Sequence, residues 1–479
     1  MKTRTRFAPS PTGFMHIGGV RTALYAYLIA RQNNGSFILR IEDTDQERFV
    51  EGATEVIYST LKDLGLNWDE GPDIGGNYGP YIQSERKANY LTYAKKLIEE
   101  EKAYYCLCSE ERLTIMKSRA EKEGIPYKYD KHCLNLSESE EKELLEIIEN
   151  NKPHVIRFKM PKEGKTVFED IVYGKIEVEN KELEDLIMIK SDGMPTYNFA
   201  NIIDDHEMEI THVIRGNEYV SSTPKYVLMY QALNFPIPEF IHLPIIKETV
   251  DSDKKLSKRN QAATVDSLKT RGYLNSAIIN TLALTGWCPK ENREIFSLEE
   301  LINVFDVNGI GKGNAIFDID KLNWFNNYYL KQMDKEAFVS FVKPFLASAY
   351  DLSNHDDEWI NKLISIYQEQ ISYGLEIINF TSLFFNKEII IDKDCSEFLN
   401  SDESIANTLS IFKTEIESIK EWNVESITNA INNTKEKSNA NGKLLFMPIR
   451  IKISGQMHGP ELPETIFLLG KELVLDRLN

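Results

Sequence analysis

Residues 4–41 constrain the fold more than any other part of this 479-residue chain. Residues 4–8 alternate polar and apolar side chains like a half-buried strand, and two prolines and three glycines then break the alternation. A helical run follows to Arg31, and residues 37–41 form a second strand-like run. The order strand, glycine-rich turn, helix and strand predicts a βαβ unit in a parallel sheet, with the turn at the carboxyl edge. We expect phosphate to bind there.

The turn ends in His16-Ile17-Gly18-Gly19, and a basic run, residues 254–259, follows roughly 240 residues later. Glycines at a helix start let a nucleotide approach free backbone N–H groups, although the same spacing also arises from plain packing. A basic hexamer by itself is more often a solvated surface loop. The occurrence of both motifs in one chain is a rare pairing.

In both motifs the chain resembles the class I aminoacyl-tRNA synthetases, whose signatures read HIGH and KMSKS. It is similar, more narrowly, to the glutamyl-tRNA synthetases of the bacterial type. Supporting motifs extend across the chain, in residues 9–13, 40–45, 79–86, 195–201 and 213–218. The departures are small, with Gly19 in place of the last His of HIGH and Leu256 in place of the Met of KMSKS.

Composition agrees with a globular protein of two to four domains, with 42% hydrophobic and 27% charged residues. No apolar run approaches 18 residues and the N-terminus enters a charged strand, so we expect no membrane span, no signal peptide and a cytoplasmic location. A net charge of −18 would argue against nucleic acid if it were evenly spread. Residues 247–321, however, carry eleven Lys and Arg against eleven Asp and Glu. The net negative charge therefore lies elsewhere in the chain, and this segment is relatively basic.

The resemblance implies an α/β fold: a Rossmann-like parallel sheet split by an acceptor-binding insertion, then a stem-contact region and an all-α anticodon-binding tail. Strands of the second half are expected at residues 186–190, 211–214 and 240–243. Helices are expected in the tail at residues 338–347, 357–385, 404–422 and 424–437. The expected domains are, in order, residues 1–95 (first catalytic half), 96–194 (insertion), 195–246 (second catalytic half), 247–330 (stem contact) and 331–479 (anticodon binding).

Activation of an amino acid requires its α-carboxylate to attack the α-phosphorus of ATP, so positioning and charge stabilisation supply the catalysis. The resemblance implies that His16, Lys255 and Lys258 are the catalytic residues. It implies Mg²⁺ bridging the phosphates, and an ATP site made by His16, Gly18, Gly19, Glu218, Lys255, Ser257 and Lys258. The expected partners are ATP, L-glutamate and tRNA-Glu, with the chain acting as a monomer.

Selection of glutamate over glutamine calls for a guanidinium group, which donates hydrogen bonds to a carboxylate but meets an amide NH₂ donor to donor. The resemblance places Arg6 and Arg215 at the substrate and Glu42 at its α-amino group. From spacing alone, a surface ion pair is the commoner outcome for each arginine. The remaining implied pocket residues are Ala8, Ser10, Tyr197 and Asn201.

Three of the five cysteines, Cys106, Cys108 and Cys133, are clustered, and this spacing indicates a zinc knuckle rather than disulfides. Some relatives complete such a site with Cys-x-His, which fails here because Asn135 stands at that position. Others use Tyr-x-x-x-Cys, which fits Tyr129, and His132 is a reserve ligand. Ordinary reduced thiols are the alternative, and Cys288 and Cys395 are expected in the core.

Three alternative interpretations of the sequence compete with a glutamate ligase. A shorter relative that glutamylates a modified anticodon nucleoside lacks the helical tail seen here. A catalytically silent paralogue would not need His16, Lys255 and Lys258. A nucleotidyltransferase would not need Arg6 and Arg215 together with the tail.

Strict relatives read the third anticodon base with an arginine in the helix expected at residues 361–375. In this chain the matching position is at or beside Gln370, with Gln368 nearby. A glutamine amide both donates and accepts, so it penalises guanine less than arginine would. The substitution predicts an enzyme that also charges tRNA-Gln, although a plain polar helix residue would look the same.

Overall fold

The computed structural model describes residues 2–48, 50–125, 127–150, 152–247 and 264–479. Two compact units divide the chain: Met1–Ser267 with Ile278–Ile319, and Leu268–Ala277 with Asp320–Asn479. No helix in the described ranges is both long and apolar enough to cross a membrane.

The strands are, in chain order, β1 (Arg4–Phe7), β2 (Ser36–Leu39), β3 (Ala103–Cys106), β4 (Val155–Phe158), β5 (Lys165–Asp170), β6 (Gly174–Glu179), β7 (Ile187–Ile189), β8 (His212–Gly216), β9 (Glu239–Leu243), β10 (Ile246–Lys247) and β11 (Ala315–Ile316). The helices of the first half are α1 (Ile17–Gln32), α2 (Ala53–Asp63), α3 (Lys87–Glu99), α4 (Glu110–Glu123), α5 (Glu138–Glu149), α6 (Tyr197–Glu207), α7 (Thr223–Leu233), α8 (Val265–Thr270), α9 (Asn275–Leu284) and α10 (Leu298–Val304). Those that follow are α11 (Ile319–Gln332), α12 (Lys335–Ala347), α13 (Asp357–Ser365), α14 (Glu376–Phe385), α15 (Lys393–Leu399), α16 (Ser404–Ser418), α17 (Val424–Ser438), α18 (Lys443–Ser454), α19 (Leu462–Leu469) and α20 (Lys471–Leu478).

The first unit is built on a six-stranded sheet in the order β2-β1-β8-β9-β5-β6. Its pairs are parallel except β5–β6, which is an antiparallel hairpin. The predicted βαβ unit is confirmed, because β1 and β2 pair in parallel and α1 connects them. Their carboxyl ends therefore meet the start of α1 at one edge of the sheet.

The expectation that residues 4–8 form a half-buried strand is wrong, since all four residues of β1 are buried. The two arginine side chains of β1 reach charged groups inside the protein, and Arg4 contacts Glu70. Arg6, for instance, reaches Asp205 on α6. The alternation therefore separates ionic from apolar surroundings, with neither face open to water.

The sequence placed residues 186–190 in the second half of the parallel sheet, and this is wrong. Here β7 pairs with β4 in a separate antiparallel sheet of order β3-β4-β7. That sheet shares one apolar core with β8, β9, α3, α6 and α7. Conversely β5, which lies within residues 96–194, joins the six-stranded sheet beside β9.

The second unit is helical, with one apolar core that reaches from Leu330 on α11 to Val474 on α20. A single helix over residues 357–385 was predicted, but α13 ends at Ser365 and α14 begins at Glu376. The backbone between them turns because Gly374 N–H donates to Gly272 O at 3.1 Å and Leu375 N–H to Arg271 O at 3.0 Å. A Cβ at Gly374 would lie 2.4 Å from the Phe345 ring, so the close approach requires glycine.

Candidate active site

The start of α1 is organised by His16. His16 is the N-cap residue, and its Nδ1 accepts a hydrogen bond from Gly18 N–H at 3.1 Å. A Cβ on Gly18 would lie 3.2 Å from the same nitrogen, so glycine keeps the ring and the first turn close together. The aligned N–H groups give this end of the helix a partial positive charge that favours an anion.

A cavity of about 390 Å³ opens beside this helix end at the carboxyl edge of the sheet. The residues that line it are His16, Gly18, Gly19, Arg21, Thr22, Gly216, Glu218, Leu243, Pro244, Ile245 and Ile246. Four residues predicted to bind ATP therefore share one cavity: His16, Gly18, Gly19 and Glu218. The other three, Lys255, Ser257 and Lys258, lie outside the described residues.

Arg21 is a charged residue of this cavity that the sequence analysis missed. Its Nη1 donates to Thr285 O at 3.0 Å and its Nη2 donates to Pro244 O. Burial lowers the pKa of Arg21. Its place one turn after His16-Ile17-Gly18-Gly19 could have identified it, because residues three and four apart share a helix face.

Arg6 belongs to a buried ion network around α6. Its Nε donates to Asp205 Oδ1 at 3.0 Å and its Nη2 to Oδ2 at 3.2 Å, while Nη1 donates to Ile214 O at 3.2 Å. Arg40 joins Asp205 to Glu42, with Nη1 at 2.8 Å from Asp205 Oδ1 and Nη2 at 2.9 Å from Glu42 Oε1. A guanidinium has five N–H groups, so these bonds leave Arg6 donors for a ligand.

Glu42 lies 4% exposed in the same network. Burial raises the pKa of Glu42, although Arg40 and Arg6 oppose the shift. An ammonium group beside this carboxylate would favour its ionised form. The position fits the α-amino group of an amino acid.

Arg215 stands on β8, the strand next to that of Arg6, and its hydrogen bonds go to neutral groups. Its Nε donates to His242 Nε2 at 3.1 Å and its Nη2 to Thr223 Oγ1 at 2.8 Å. The rings of Tyr226 and Tyr219 lie 4.7 Å and 5.2 Å from its guanidinium carbon. Arg215 is 6% exposed, which excludes the alternative of a surface ion pair.

The other predicted pocket residues fall into two groups. Tyr197 and Asn201 are on α6, where Asn201 Nδ2 donates to Tyr197 O at 2.7 Å, and the Tyr197 ring lies 5.4 Å from that of Tyr219. Burial, and next to it the charge of Glu42, raises the pKa of Tyr197, so its phenol remains a donor. Ala8 and Ser10 lie in the loop after β1, where Ala8 is half-buried and Ser10 is exposed.

The structure brings together the four predicted metal ligands. The sulfurs of Cys106, Cys108 and Cys133 lie within 4.8 Å of one another, and the Tyr129 hydroxyl lies 3.3 Å from Cys106 Sγ and 3.4 Å from Cys108 Sγ. A tetrahedral zinc ion would separate its sulfur ligands by about 3.8 Å and a sulfur from an oxygen by about 3.5 Å. The 3.6 Å between Cys108 and Cys133 agrees with this. These residues could hold a metal ion.

Two arginines contact the cluster. Arg157 Nε lies 3.3 Å from Cys106 Sγ, and Arg112 Nη1 lies 3.5 Å from Cys108 Sγ. A hydrogen bond from Cys133, with further ones from Tyr129 and Arg157, lowers the pKa of Cys106 to about 4. Positive groups against sulfur stabilise thiolates, the form that binds metals. His132, the reserve ligand, is exposed.

Two further expectations about single residues are corrected. Cys288 is exposed, while Cys395 is buried as expected. Trp287, which precedes Cys288, is fully buried and forms a β-bridge with Ile310. The next side chain along this extended stretch, that of Cys288, therefore points outward. Gln370 lies in the turn between α13 and α14, half-buried, whereas a helix was predicted. Its neighbour Gln368 is bound to the carbonyls of Leu330 and Met333.

Comparison with known protein families gives two matches that together span nearly the whole chain. Residues 2–324 match the family of class I tRNA synthetases (E and Q), catalytic domain, and residues 337–479 match an anticodon binding domain. Glutamate–tRNA ligase of Clostridium tetani is 46% identical over an aligned length of 489, and the alignment covers 100% of this chain and 97% of the relative. The enzyme of that name from Clostridium botulinum Eklund 17B is 48% identical, with 98% of the relative covered.

Solved structures give the same result. A crystal structure of a glutamate tRNA ligase from Elizabethkingia meningosepticum, in complex with its amino acid, is 37% identical, with a TM-score of 0.86 over 100% of this chain and 98% of that one. Glutamate-tRNA synthetase from Elizabethkingia anophelis is also 37% identical, with a TM-score of 0.87 and 99% of it covered. By its sheet, its two motifs and its similarity along the full length, this chain belongs to the class I tRNA synthetases, in the family of glutamate–tRNA ligases.

Proposed function

We propose that this chain attaches L-glutamate to tRNA-Glu in two steps, formation of glutamyl-adenylate from ATP and transfer to the 3′ end of the tRNA. The observation that carries the proposal concerns Arg215 on β8, the strand whose Gly216 lines the nucleotide cavity. Its Nε donates to His242 and its Nη2 to Thr223, and both acceptors are neutral. A carboxylate supplied by the substrate would compensate its charge. An amide would present donors to donors there.

In this proposal the amino acid lies between β1, β8 and α6. Arg215 and Arg6 take its carboxylates, and Glu42 takes its α-amino group. Tyr197 and Asn201 close one side from α6, and Ala8 and Ser10 border the pocket from the loop after β1. The α-carboxylate then attacks the α-phosphorus, so no side chain has to accept a proton.

ATP would occupy the cavity at the start of α1. His16 would face its phosphates with its Nε2–H, Gly18 and Gly19 would let them approach the positive end of α1, and Glu218 would contact the nucleotide. Lys255 and Lys258 would stabilise the leaving pyrophosphate with Ser257 beside them, as the family motif implies. ATP would enter as its Mg²⁺ complex, and the ion would compensate part of the phosphate charge.

The cluster of Cys106, Cys108, Tyr129 and Cys133 would hold a structural zinc ion. Its donor set is three sulfurs and one phenol oxygen at separations near those of a tetrahedral site. Arg112 and Arg157 would offset the negative charge of the thiolates. The ion would fix the loops that connect β3, α4 and α5.

We further infer that the enzyme accepts tRNA-Gln as well as tRNA-Glu. The resemblance places the arginine of strict relatives at or beside Gln370, whose half-buried amide can both donate and accept. The scheme includes residues 96–194 as the part that binds the acceptor end, residues 247–330 at the tRNA stem and residues 331–479 at the anticodon, with residues 1–95 and 195–246 forming the catalytic halves. The enzyme would work as a cytoplasmic monomer.

ATP–pyrophosphate exchange with each amino acid, with and without tRNA-Glu, tests the proposal. We expect exchange with glutamate only, and only after tRNA has been added. Strong exchange with glutamate in the absence of tRNA would remove the tRNA requirement. Exchange with a different amino acid would overturn the proposed function itself.

A further inference from the structure

A chain of three buried side chains crosses three adjacent strands of the main sheet. Asp170 ends β5, His242 is on β9, and Arg215 is on β8. His242 and Arg215 are directly paired across the sheet. Asp170 Oδ2 lies 2.6 Å from His242 Nδ1, and Arg215 Nε lies 3.1 Å from His242 Nε2.

The hydrogen-bond inventory of these groups fixes the tautomer of the imidazole. The Nε of arginine can only donate, so His242 Nε2 must present a lone pair to it. The proton of the neutral ring is then on Nδ1, where it is donated to the carboxylate of Asp170. Burial, which outweighs the hydrogen bond to Asp170, lowers the pKa of His242 and keeps the ring neutral.

Asp170 is itself held on both sides. Its Oδ1 accepts from Val172 N–H at 3.0 Å and Tyr173 N–H at 2.8 Å, and its Oδ2 accepts from His242 N–H at 3.1 Å. An ionised carboxylate only accepts hydrogen bonds, which matches four N–H donors around it. The carboxylate is therefore fixed before any ligand arrives.

These contacts determine which edge of the Arg215 guanidinium is available to a ligand. With Nε bound to His242 and one Nη2 proton bound to Thr223, the edge that carries Nη1 and the second Nη2 proton is left to form a two-pronged contact. The imidazole is a neutral acceptor, so it holds the guanidinium without cancelling its charge as a directly bound carboxylate would. Arg6, which Asp205 contacts directly, is the contrasting case.

We propose that Asp170 and His242 are positioning residues for glutamate recognition, which fix one imidazole tautomer so that Arg215 presents its Nη edge to a substrate carboxylate. The inference rests on the proposed function, because it assumes that Arg215 binds the amino acid. It extends that function to two residues outside the pocket, one of them on the β5–β6 hairpin.

Four variants of the full-length chain test it in tRNA-dependent exchange, with the KM for glutamate, the KM for ATP and kcat measured separately. His242→Leu removes the acceptor and should raise the KM for glutamate by roughly 10- to 100-fold with the KM for ATP nearly unchanged. His242→Gln places an amide oxygen near the position of Nε2 and should recover much of the loss. Arg215→Gln tests the underlying assumption, and His212→Gln, a half-buried histidine at the other end of β8, is the matched control.

The outcomes separate the two proposals. If Arg215→Gln leaves the KM for glutamate unchanged, the assumed role of Arg215 fails. If Arg215→Gln raises the KM for glutamate but His242→Leu does not, only the positioning role of Asp170 and His242 fails. A loss in His242→Leu that His242→Gln does not relieve at all also overturns it.

A measurement on the unmodified protein covers the case of variants that do not fold. Nitrogen-15 spectra of labelled histidine distinguish the two neutral tautomers, and the signal of His242 is the one that His242→Gln removes or, failing that, the one that glutamate binding shifts. We expect a proton on Nδ1. A proton on Nε2 would overturn the proposal, because Arg215 Nε could then not donate to that nitrogen.

Discussion

Arg6 and Asp205 face each other as a buried two-pronged ion pair, with Nε to Oδ1 at 3.0 Å and Nη2 to Oδ2 at 3.2 Å. The two residues come from β1 and α6, about 200 residues apart in the chain, and both are almost fully buried. Asp205 also contacts Arg40, so one carboxylate is shared by two guanidinium groups. The pair therefore fixes the position of Arg6 and compensates its charge inside the protein.

Asp205→Asn should lower the free energy of unfolding at pH 7 by about 3–5 kcal/mol, because it leaves buried guanidinium charge without its partner. Burial opposes ionisation, but Arg6 and Arg40 together lower the pKa of Asp205. A carboxyl whose pKa is lowered by folding stabilises the fold at pH values above its pKa in the unfolded chain. This stabilisation is lost as the pH falls through its pKa in the folded protein. The difference between the two proteins should thus shrink below about pH 4. Denaturant unfolding at several pH values measures it, with exposed Glu111→Gln as the control; a difference independent of pH would contradict the assignment.

Arg215→Gln should reduce kcat/KM for glutamate on the order of a hundredfold, since a buried carboxylate loses its guanidinium partner. Steady-state exchange in the presence of tRNA gives the value. Arg119→Gln, at a side chain 80% exposed on α4, is the matched control and should leave the KM for glutamate unchanged at saturating tRNA. Unchanged kinetics in the first variant would place Arg215 outside the pocket.

Cys108→Ser should lower the bound zinc from about one ion per chain and loosen residues around the cluster, while ATP binding remains. Elemental analysis and limited proteolysis report the two effects. Cys288→Ser changes an exposed thiol outside the cluster and serves as the control. Absence of zinc from the unmodified protein would show that the cluster consists of ordinary thiols.

Transcripts of tRNA-Glu and tRNA-Gln should both be charged with glutamate, within roughly tenfold of each other. Gln370→Arg should disfavour tRNA-Gln, because arginine opposes the N–H donors of guanine. Gln456→Arg, an exposed glutamine in the same unit, controls for added charge. A preference for tRNA-Glu of roughly a hundredfold or more in the unmodified enzyme would mean that it is strict.

The half of the site that is proposed to bind the nucleotide was predictable from the sequence because its signals are local. Two glycines after His16 and a strand on each side of α1 define a helix start at a sheet edge, and the structure has that arrangement. Glu218 was placed by resemblance, and it lines the same cavity. The basic motif at Lys255 and Lys258 stays a prediction.

The amino-acid half depended on contacts that periodicity cannot reveal. The alternation in β1 is typical of a strand with one solvent-exposed face and one buried face. Arg6 is nevertheless buried, because it forms an ion pair with Asp205 on α6, which is distant in the sequence. The sheet to which β7 belongs was decided by pairing with β4, which single-strand patterns do not specify. His242 gave no signal at all, because a lone histidine in an apolar strand is usually only part of the core.

The placement of β8 between β1 and β9 has a consequence for how the nascent chain folds. The ribosome synthesises β1 and β2 close together, but β8 follows roughly 170 residues later. Until then one edge of β1 has no strand to pair with, and the guanidinium of Arg6 has neither Asp205 nor the Ile214 carbonyl. Long-range pairing of this kind is slow and exposes strand edges that aggregate. A chaperone that shields the first 200 or so residues during synthesis would act at the step where this sheet is most vulnerable.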